Sequence, residues 1–325
     1  MGYAISISDV HAAADRLEGV AVRTPLIENQ SLNERVGGRV FVKAENLQHA
    51  GAFKFRGAYN RLSQFTPEEK KAGVLAYSSG NHAQGIALAA RMLGIKATIV
   101  MPKDAPELKV AGTRGYGADV VFYDRYTENR EDVAAHAAGD SGAILVPPYN
   151  SPYILAGQGT VGLEIAEDLL ELGLVPDQAL FNCGGGGLTA GAMTALRAAF
   201  PEIKGYAVEP EAFDDVKRSL ETGTIQEADL GARSICDALL TPSPGDLTFA
   251  IMQGLGVRGL TVTDDEARMA VGYAAKTLKQ VGEPGGVVSL AAVLAGKVDT
   301  EDKVTVCVIS GGNIDPAMLQ ECMAL

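Results

Sequence analysis

The stretch "QALFNCGGGGLTAGAMTALRAAF", residues 178–200, decides the fold. It begins with a short apolar run, continues through four consecutive glycines at 184–187, and ends in an alanine-rich run. This order is typical of a buried strand, a tight loop and a helix that packs on the sheet. A loop without side chains lets the backbone approach an anion, and the start of the helix adds positive potential. The stretch therefore predicts an α/β unit with a phosphate site at the end of a strand.

The same order of strand, polar turn and helix recurs along the chain. Further short apolar runs occur in "GRVFVKAENL" (38–47), "GVLAYSSGNHAQGIALAARML" (73–93), "KATIVMP" (96–102), "ADVVFYD" (118–124), "GYAVEP" (205–210) and "KVTVCVISGGN" (303–313). Such runs predict an α/β, doubly wound protein with twisted, mostly parallel sheets flanked by helices. Ligands bind at the carboxyl ends of these strands. We therefore expect the turns at 78–82, 183–187 and 310–313 to line one pocket.

Composition narrows the class of protein. The chain has 325 residues, 47% of them apolar, which is enough for two domains or one large α/β unit. The formal net charge of −12 argues against nucleic acid and anionic membranes as partners. No apolar run is long enough to span a bilayer, and the N-terminus has no signal-peptide pattern. Four widely spaced cysteines without a CxxC pair predict reduced thiols and a cytoplasmic location.

The glycine loop by itself leaves two kinds of site open. Gly185, Gly187 and Ala190 fit the GxGxxA fingerprint, and Glu209 ends the next predicted strand about 20 residues further on. An acid at that position binds the ribose in a Rossmann unit. A nucleotide-binding oxidoreductase is therefore one alternative, and a phosphate site for another cofactor is the other.

Lys54, in "HAGAFKFRGAYN" (49–60), favours the second alternative. The lysine lies between Phe53 and Phe55, and apolar surroundings lower the pKa of an amine and make it a better nucleophile. An amine beside a phosphate loop predicts a cofactor with both an aldehyde and a phosphate, and pyridoxal 5′-phosphate is that cofactor. The non-catalytic alternative is a lysine whose stem covers the rings while its ammonium reaches water.

Five motifs, taken together, resemble a known family. "GAFKFRGA" (51–58), "SSGNHAQG" (78–85), "GGGGLTAG" (184–191), "EPGGVVSLAAVL" (283–294) and "VISGGN" (308–313) resemble the fold-type II pyridoxal-phosphate enzymes. Within them the resemblance is to the serine/threonine dehydratases and serine racemase, and it covers nearly the whole chain. It implies a homodimeric, two-domain enzyme similar to the β subunit of tryptophan synthase. The large cofactor domain would hold residues 1–69 and 150–325, and a small mobile domain, residues 70–149, would close over the substrate.

The resemblance assigns roles position by position. Lys54 matches the Schiff-base lysine, and Ser79 matches a catalytic group on the opposite face of the cofactor. The implied cofactor-binding residues are Phe53, Lys54, Asn81, Gly184, Gly185, Gly186, Gly187, Leu188 and Ser310, where Asn81 binds the phenolic oxygen and Ser310 the pyridine nitrogen. The implied substrate-binding residues are Ser78, Ser79, Asn81 and His82. For His82, a role in capping the turn is an equal alternative.

The segment "EPEAFDD" (209–215) matches a cation site of the same family. The resemblance implies that the Glu209 carboxylate, the Phe213 carbonyl and the Asp215 carboxylate hold a divalent ion. Oxygen ligands of this kind suit Mg²⁺, Mn²⁺ or Ca²⁺. The alternative is a solvated acidic start of a helix, where carboxylates interact well with the helix dipole.

Two further features concern the substrate. Arg130, in "YTENRED" (126–132), falls where the serine racemase pattern has an arginine, and a guanidinium there could hold a distal substrate carboxylate. The alternative is a surface arginine. The chain also departs from the family pattern at Ala52, usually a serine, and at Asp237–Ala238, usually Asp-Gly. Both positions lie near the substrate in the family, so the departures leave its identity open.

The implied reaction is a β-elimination. Serine, threonine or 3-hydroxyaspartate would lose its β-hydroxyl and give a 2-oxo acid and ammonia, with Lys54 removing the Cα proton. A hydroxyl at Ser310 does not force the ring nitrogen to stay protonated, which weakens the electron sink and favours elimination over transamination. The alternative on the same scaffold is a serine or aspartate racemase, with Ser79 as the second acid or base. An oxidoreductase or a non-catalytic binding protein is the alternative of a different class.

Overall fold

The computed structural model describes residues 3–78, 80–124, 127–139, 142–229 and 231–325. Within these ranges, ten strands form two sheets and fourteen α-helices flank them. The strands are β1 (Leu26–Glu28), β2 (Arg39–Ala44), β3 (Val74–Tyr77), β4 (Ala97–Pro102), β5 (Asp119–Tyr123), β6 (Ile144–Leu145), β7 (Gln178–Asn182), β8 (Lys204–Pro210), β9 (Arg258–Val262) and β10 (Val304–Ile309). The helices are α1 (Ile7–Leu17), α2 (Gln30–Val36), α3 (Lys54–Leu62), α4 (Pro67–Ala72), α5 (Asn81–Leu93), α6 (Glu107–Gly115), α7 (Arg130–Ala138), α8 (Pro152–Glu171), α9 (Gly187–Ala199), α10 (Asp215–Thr222), α11 (Asp246–Gly254), α12 (Asp264–Tyr273), α13 (Val288–Leu294) and α14 (Pro316–Met323).

The larger sheet has the strand order β1-β2-β10-β7-β8-β9. Its strands run parallel, apart from β1, which pairs with β2 in the antiparallel sense. Alternate residues of β10 enter different apolar clusters: Val306 and Val308 pack on one side, Cys307 and Ile309 on the other. The sheet is therefore covered on both faces, which is why its strands read as continuous apolar runs.

The smaller sheet has the order β5-β4-β3-β6, with all strands parallel. Its strands lie within the range predicted for a small domain, whose boundaries stay a prediction. Phe55, Ala58 and Leu62 of α3 share the apolar cluster of this sheet, although they precede residue 70. Helix α3 therefore packs where the two parts of the chain meet.

Two helices position the glycine loop by close packing. A Cβ atom at Gly162 of α8 would lie 2.2 Å from the carbonyl oxygen of Ala192 in α9. A Cβ atom at Gly191 of α9 would lie 2.4 Å from the carbonyl oxygen of Leu155. The small residues let the two backbones touch, which fixes the start of α9 beside the end of β7.

A buried ion network anchors α3 just after Lys54. The Arg56 guanidinium donates to Glu45 at 2.8 Å and to Glu164 at 2.7 Å, and Lys43 donates to the same Glu164 at 2.7 Å. Arg56, Glu45 and Lys43 are all buried. Because each buried charge has a partner of opposite sign, the network holds α3 against β2 and α8 without leaving an unpaired charge.

The α/β class and the parallel sheets predicted from the sequence are confirmed. Strands β1 and β6 were not predicted, since runs of three and two residues carry too little periodicity. Strand β9 was not predicted either, because its sequence "RGLTV" is only partly apolar and only partly buried. In the described part of the chain, every helix is too short or too polar to cross a bilayer.

Candidate active site

A cavity of about 510 Å³ opens at the carboxyl ends of strands from both sheets. All three polar turns that follow β3, β7 and β10 reach it. Among the predicted site residues, its wall contains Phe53, Lys54, Ser78, Asn81, His82, Gly184, Gly185, Gly186, Gly187, Leu188 and Ser310. Ser79 lies outside the described residues. Arg130 is the first residue of α7, and its side chain also lies outside the description.

Lys54 begins α3 and points into this cavity. Its Nζ atom donates to the carbonyl oxygen of Pro148 at 2.9 Å and lies 5.1 Å from the centre of the Phe53 ring. No carboxylate among the described residues forms an ion pair with it. Burial without a compensating anion lowers the pKa of Lys54 to about 8. At neutral pH this amine loses its proton far more readily than an ordinary lysine does.

The glycine loop lines the same cavity. Gly186 has φ +88°, in the left-handed region, and α9 begins at the next residue. A Cβ atom at Gly185 would lie 2.4 Å from the Tyr149 ring, and one at Gly187 would lie 2.4 Å from Gln158 Oε1. The loop therefore presents bare backbone at the start of a 13-residue helix, the environment that a phosphate group prefers.

Ser310 follows β10 and faces the cavity. Its Oγ atom accepts a hydrogen bond from Asn182 Nδ2 at 2.8 Å, which leaves the hydroxyl hydrogen free to donate. Such a donor suits an unprotonated ring nitrogen. Asn182, which the sequence motifs do not single out, also donates to the Val308 carbonyl at 3.0 Å and accepts from Ser289 N–H at 2.7 Å. The signal for it in the sequence is an amide directly after the apolar run at 179–181.

Asn81 and His82 form the first turn of α5, and both are buried. The Asn81 amide donates to Glu283 Oε1 at 2.5 Å and accepts from Asn313 Nδ2 at 2.8 Å. His82 Nε2 donates to the Val146 carbonyl at 3.0 Å. Burial, together with the nearby Lys54 charge, lowers the pKa of His82 to about 3. His82 is therefore a neutral imidazole that tethers the turn to the end of β6.

The departures from the family pattern lie in different places. Ala52 is buried and pairs with Gly311 in an isolated β-bridge, off the cavity wall. Asp237 and Ala238 line the cavity. Of the two departures, only the second can contact a ligand directly.

Glu209 and Asp215 lie away from the cavity, where β8 meets α10. The Glu209 carboxylate accepts from the N–H groups of Val216 at 3.0 Å and Lys217 at 2.7 Å. Asp215 Oδ2 is buried and has no hydrogen-bond partner in the described structure. Burial raises the pKa of Asp215 to about 7, and burial and the charge of Asp215 raise the pKa of Glu209 well above its usual range.

This position has two consequences for the sequence-based alternatives. Glu209 and Asp215 are each 1% exposed, so the alternative of a solvated acidic helix start is wrong. Glu209 also binds its own chain and does not reach the cavity, which removes the ribose-binding acid that a dinucleotide site requires. The described residues contain no cluster of three or more His, Cys, Asp or Glu side chains that could hold a metal ion. A cation here would need backbone carbonyls, such as that of Phe213, or water.

Known proteins resemble this chain over almost its whole length. A Pseudomonas protein named L-threo-3-hydroxyaspartate ammonia-lyase is 47% identical over 95% of this chain and 96% of its own. A protein of Schizosaccharomyces pombe named serine racemase is 45% identical over 94% of each chain. The solved structure of maize serine racemase superimposes with a TM-score of 0.92 at 35% identity, covering 99% of this chain and 98% of that one.

The family model described as "Pyridoxal-phosphate dependent enzyme" matches residues 17–311. The residues present fit that cofactor, since an amine with no ion pair among the described residues, a glycine cradle at a helix start and a hydroxyl hydrogen available for donation line one cavity. This chain therefore belongs to the pyridoxal-phosphate-dependent enzyme family.

Proposed function

We propose that this protein is an ammonia-lyase that removes the β-hydroxyl of serine, threonine or 3-hydroxyaspartate and yields a 2-oxo acid and ammonia. The observation that carries the proposal is the Lys54 amine, with a pKa of about 8, in one cavity with the glycine loop. Bound pyridoxal phosphate supplies the electron sink that acidifies the Cα–H bond of an amino acid.

The residues of this chain then have separate tasks. Lys54 takes the Cα proton, because its amine lines the cavity and its pKa of about 8 leaves part of it unprotonated near neutral pH. The backbone of the glycine loop holds the phosphate, and an N–H of Asn81 meets the phenolic oxygen. Ser310 donates to the ring nitrogen without protonating it, which favours loss of the β-hydroxyl over transamination.

The test is a substrate screen on the purified enzyme. We expect a yellow protein that borohydride bleaches, and equal release of 2-oxo acid and ammonia from at least one β-hydroxy amino acid. Inverted amino acid without ammonia would favour the racemase alternative. A colourless protein that binds no pyridoxal phosphate would overturn the cofactor assignment for this site.

L-threo-3-hydroxyaspartate is the substrate that we test first. The Pseudomonas relative is named as an ammonia-lyase for this amino acid. Of the described side chains on the cavity wall, Lys54 is the one cation, whereas Asp237 and Asp246 are anions. A second substrate carboxylate therefore needs another cation, and we propose that Arg130 supplies it.

Arg130→Ala tests this assignment against serine as a reference. Truncating a charged hydrogen bond should cost the diacid about 2 kcal/mol or more of kcat/KM relative to serine. Arg130→Lys keeps the charge and loses the bidentate geometry, so its kcat/KM on the diacid, relative to serine, should lie between those of wild type and Arg130→Ala. Equal losses on both substrates would reject the role.

Ser79 distinguishes the lyase from the racemase alternative, which the S. pombe relative's name supports. Racemisation needs a proton donor on the face opposite Lys54, whereas elimination from an L-substrate needs only Lys54. Ser79→Ala should therefore abolish racemisation while elimination falls less. Equal losses in both activities would mean that Ser79 mainly binds the carboxylate.

A divalent cation, Mg²⁺ or else Mn²⁺ or Ca²⁺, is the second proposed ligand, held by Glu209, the Phe213 carbonyl and Asp215. Two buried carboxylates, with Asp215 Oδ2 unpartnered in the described structure, support it. Chelation should lower the Tm, added Mg²⁺ should restore it, and Asp215→Asn should remove this response. No response together with no metal by elemental analysis would count against the site.

The small mobile domain of residues 70–149, a cytoplasmic location and a homodimer remain predictions of the same assignment.

A further inference from the structure

Lys109 lies in a cluster of three charges that joins the two sheet systems. Its Nζ atom donates to Asp237 Oδ2 at 2.7 Å and to Glu283 Oε2 at 2.8 Å. Lys109 and Glu283 are each 1% exposed. Helix α6, which carries Lys109, packs with the smaller sheet, whereas Asp237 and Glu283 lie in segments that adjoin the larger one. We call Lys109, Asp237 and Glu283 the Lys109 triad.

The triad reaches the cavity through Asn81. Glu283 uses Oε2 for Lys109 and Oε1 for the amide nitrogen of Asn81, at 2.5 Å. On its other side the Asn81 oxygen accepts from Asn313 Nδ2 at 2.8 Å. An ionised carboxylate can only accept, and an amide nitrogen can only donate, so a single orientation of the Asn81 amide satisfies both neighbours. In this orientation the second N–H of Asn81 is left for the cavity.

The aliphatic stem of Lys109 also supports the turn before Asn81. A Cβ atom at Gly80 would lie 2.8 Å from Lys109 Cδ, so the backbone of the turn rests directly on this stem. On the other side of the triad, a Cβ atom at Gly311 would lie 2.3 Å from Glu283 Oε1. Segments that follow β3 and β10 therefore both press against the same pair of buried charges.

Stability alone is a poor reason for such a cluster. Taking charges out of water costs several kcal/mol per ion, and apolar side chains of similar volume often serve as well or better. Apolar side chains cannot determine which end of a neighbouring amide faces them, because they neither donate nor accept hydrogen bonds. A charged cluster can, and the contact between Glu283 and Asn81 is such a case.

We propose that Lys109 and Glu283 are positioning residues that support Gly80 and orient the Asn81 amide so that an N–H, and not the carbonyl oxygen, faces the cofactor. Lys109 keeps Glu283 ionised, and Glu283 keeps Asn81 in one orientation. The inference rests on pyridoxal phosphate as the cofactor and is independent of which amino acid is turned over.

The test replaces each member and measures the bound cofactor itself. Glu283→Gln is nearly isosteric, but its amide can face Asn81 with either end and so allows the flipped orientation. Lys109→Met keeps the stem under Gly80 and removes the charge. Each variant should raise the Kd of pyridoxal phosphate about tenfold or more, the effect of losing a hydrogen bond to a charged group. Each should also shift the absorption band of the bound cofactor.

Lys43→Met is the matched control. Lys43 is also buried and paired with a carboxylate, Glu164 at 2.7 Å, but it is not on the cavity wall. It should lower the Tm as Lys109→Met does, with the Kd and the absorption band unchanged. The double variant Lys109→Met/Glu283→Gln should lose less than the sum of its parts, because no buried charge is left alone.

Two results would overturn the proposal. One is a wild-type Kd and spectrum in Glu283→Gln and Lys109→Met, with only the Tm lowered. The other is the same spectral change in Lys43→Met, which would mean general loosening of the fold. If Lys109→Met does not fold, Glu283→Gln alone decides, because Glu283 is the group that accepts from the Asn81 amide nitrogen. A wild-type protein that binds no pyridoxal phosphate would contradict the cofactor assignment, a result distinct from the two above, which concern how Lys109 and Glu283 orient Asn81.

Discussion

Lys54 is half-buried on the cavity wall and Lys109 is fully buried nearby, and these two lysines have opposite chemistry. Lys54 meets a neutral carbonyl oxygen, and burial lowers its pKa to about 8. Burial would also lower the pKa of Lys109, but the charges of Glu283 and Asp237 outweigh it and raise that pKa. The comparison teaches that burial makes a lysine reactive only where no carboxylate accompanies it.

The largest expected effect is on catalysis by Lys54. Lys54→Ala should lower kcat by about 10³-fold or more, because it removes both the amine that binds the cofactor and the base. The variant should fold, since the side chain carries no ion pair among the described residues. Single-turnover ammonia release measures the loss. Wild-type rates in this variant would mean that another group is the base.

Lys109→Met should have the next largest effect, and it should act on stability. The substitution leaves the buried Glu283 carboxylate without its cation, and breaking a buried pair costs about 3–5 kcal/mol. Urea unfolding of the holoenzyme, with the midpoint and slope both fitted, measures it. A loss below about 1 kcal/mol would show that Asp237 and Glu283 do not depend on this charge.

Lys54→Met, unlike Lys109→Met, should raise the free energy of unfolding of the apoprotein, by about 0.5–2 kcal/mol at pH 7. The folded-state pKa of Lys54 is about 8 and its ordinary value is 10.5, so the unfolded chain binds more protons between these values. The penalty of holding Lys54 is therefore fully present below pH 8 and disappears as the pH rises to 10.5. The advantage of Lys54→Met over wild type should shrink across that window. If the stability gain of Lys54→Met stayed constant from pH 8 to pH 10.5, titration of Lys54 would not be its cause.

The smallest effect should come from replacing Arg23, which pairs with two carboxylates as Lys109 does, but at the surface. Arg23 binds Glu167 at 2.6 Å and Asp168 at 2.5 Å, but its side chain is 52% exposed. Exposed pairs contribute about 0–1 kcal/mol, so Arg23→Gln should change the free energy of unfolding by no more than that. A loss as large as that of Lys109→Met would mean that burial does not decide how much these ion pairs contribute to stability.

The same contrast separates what the sequence can predict from what it cannot. The strands around 178–182 and 304–309, the glycine loop and Lys54 carry local signals: apolar runs, four glycines and an amine between rings. Lys109, by contrast, reads as an ordinary lysine in "PELKVAG", and its partner Glu283 is 174 residues away. The role of such a residue follows from tertiary pairing, which no local pattern reveals.

The strand order also has a consequence for how the protein is made. Strand β10 (304–309) lies in the sheet between β2 and β7, which are synthesised much earlier. The smaller sheet is complete by residue 145, whereas the larger one must keep a central place open until its last strand emerges from the ribosome. Domains form from the N-terminus during translation, so we expect the partly made chain to expose an unpaired inner edge and to be most prone to aggregation at that stage. Because Ser310 follows β10 directly, the nascent chain should capture pyridoxal phosphate only after this strand is inserted.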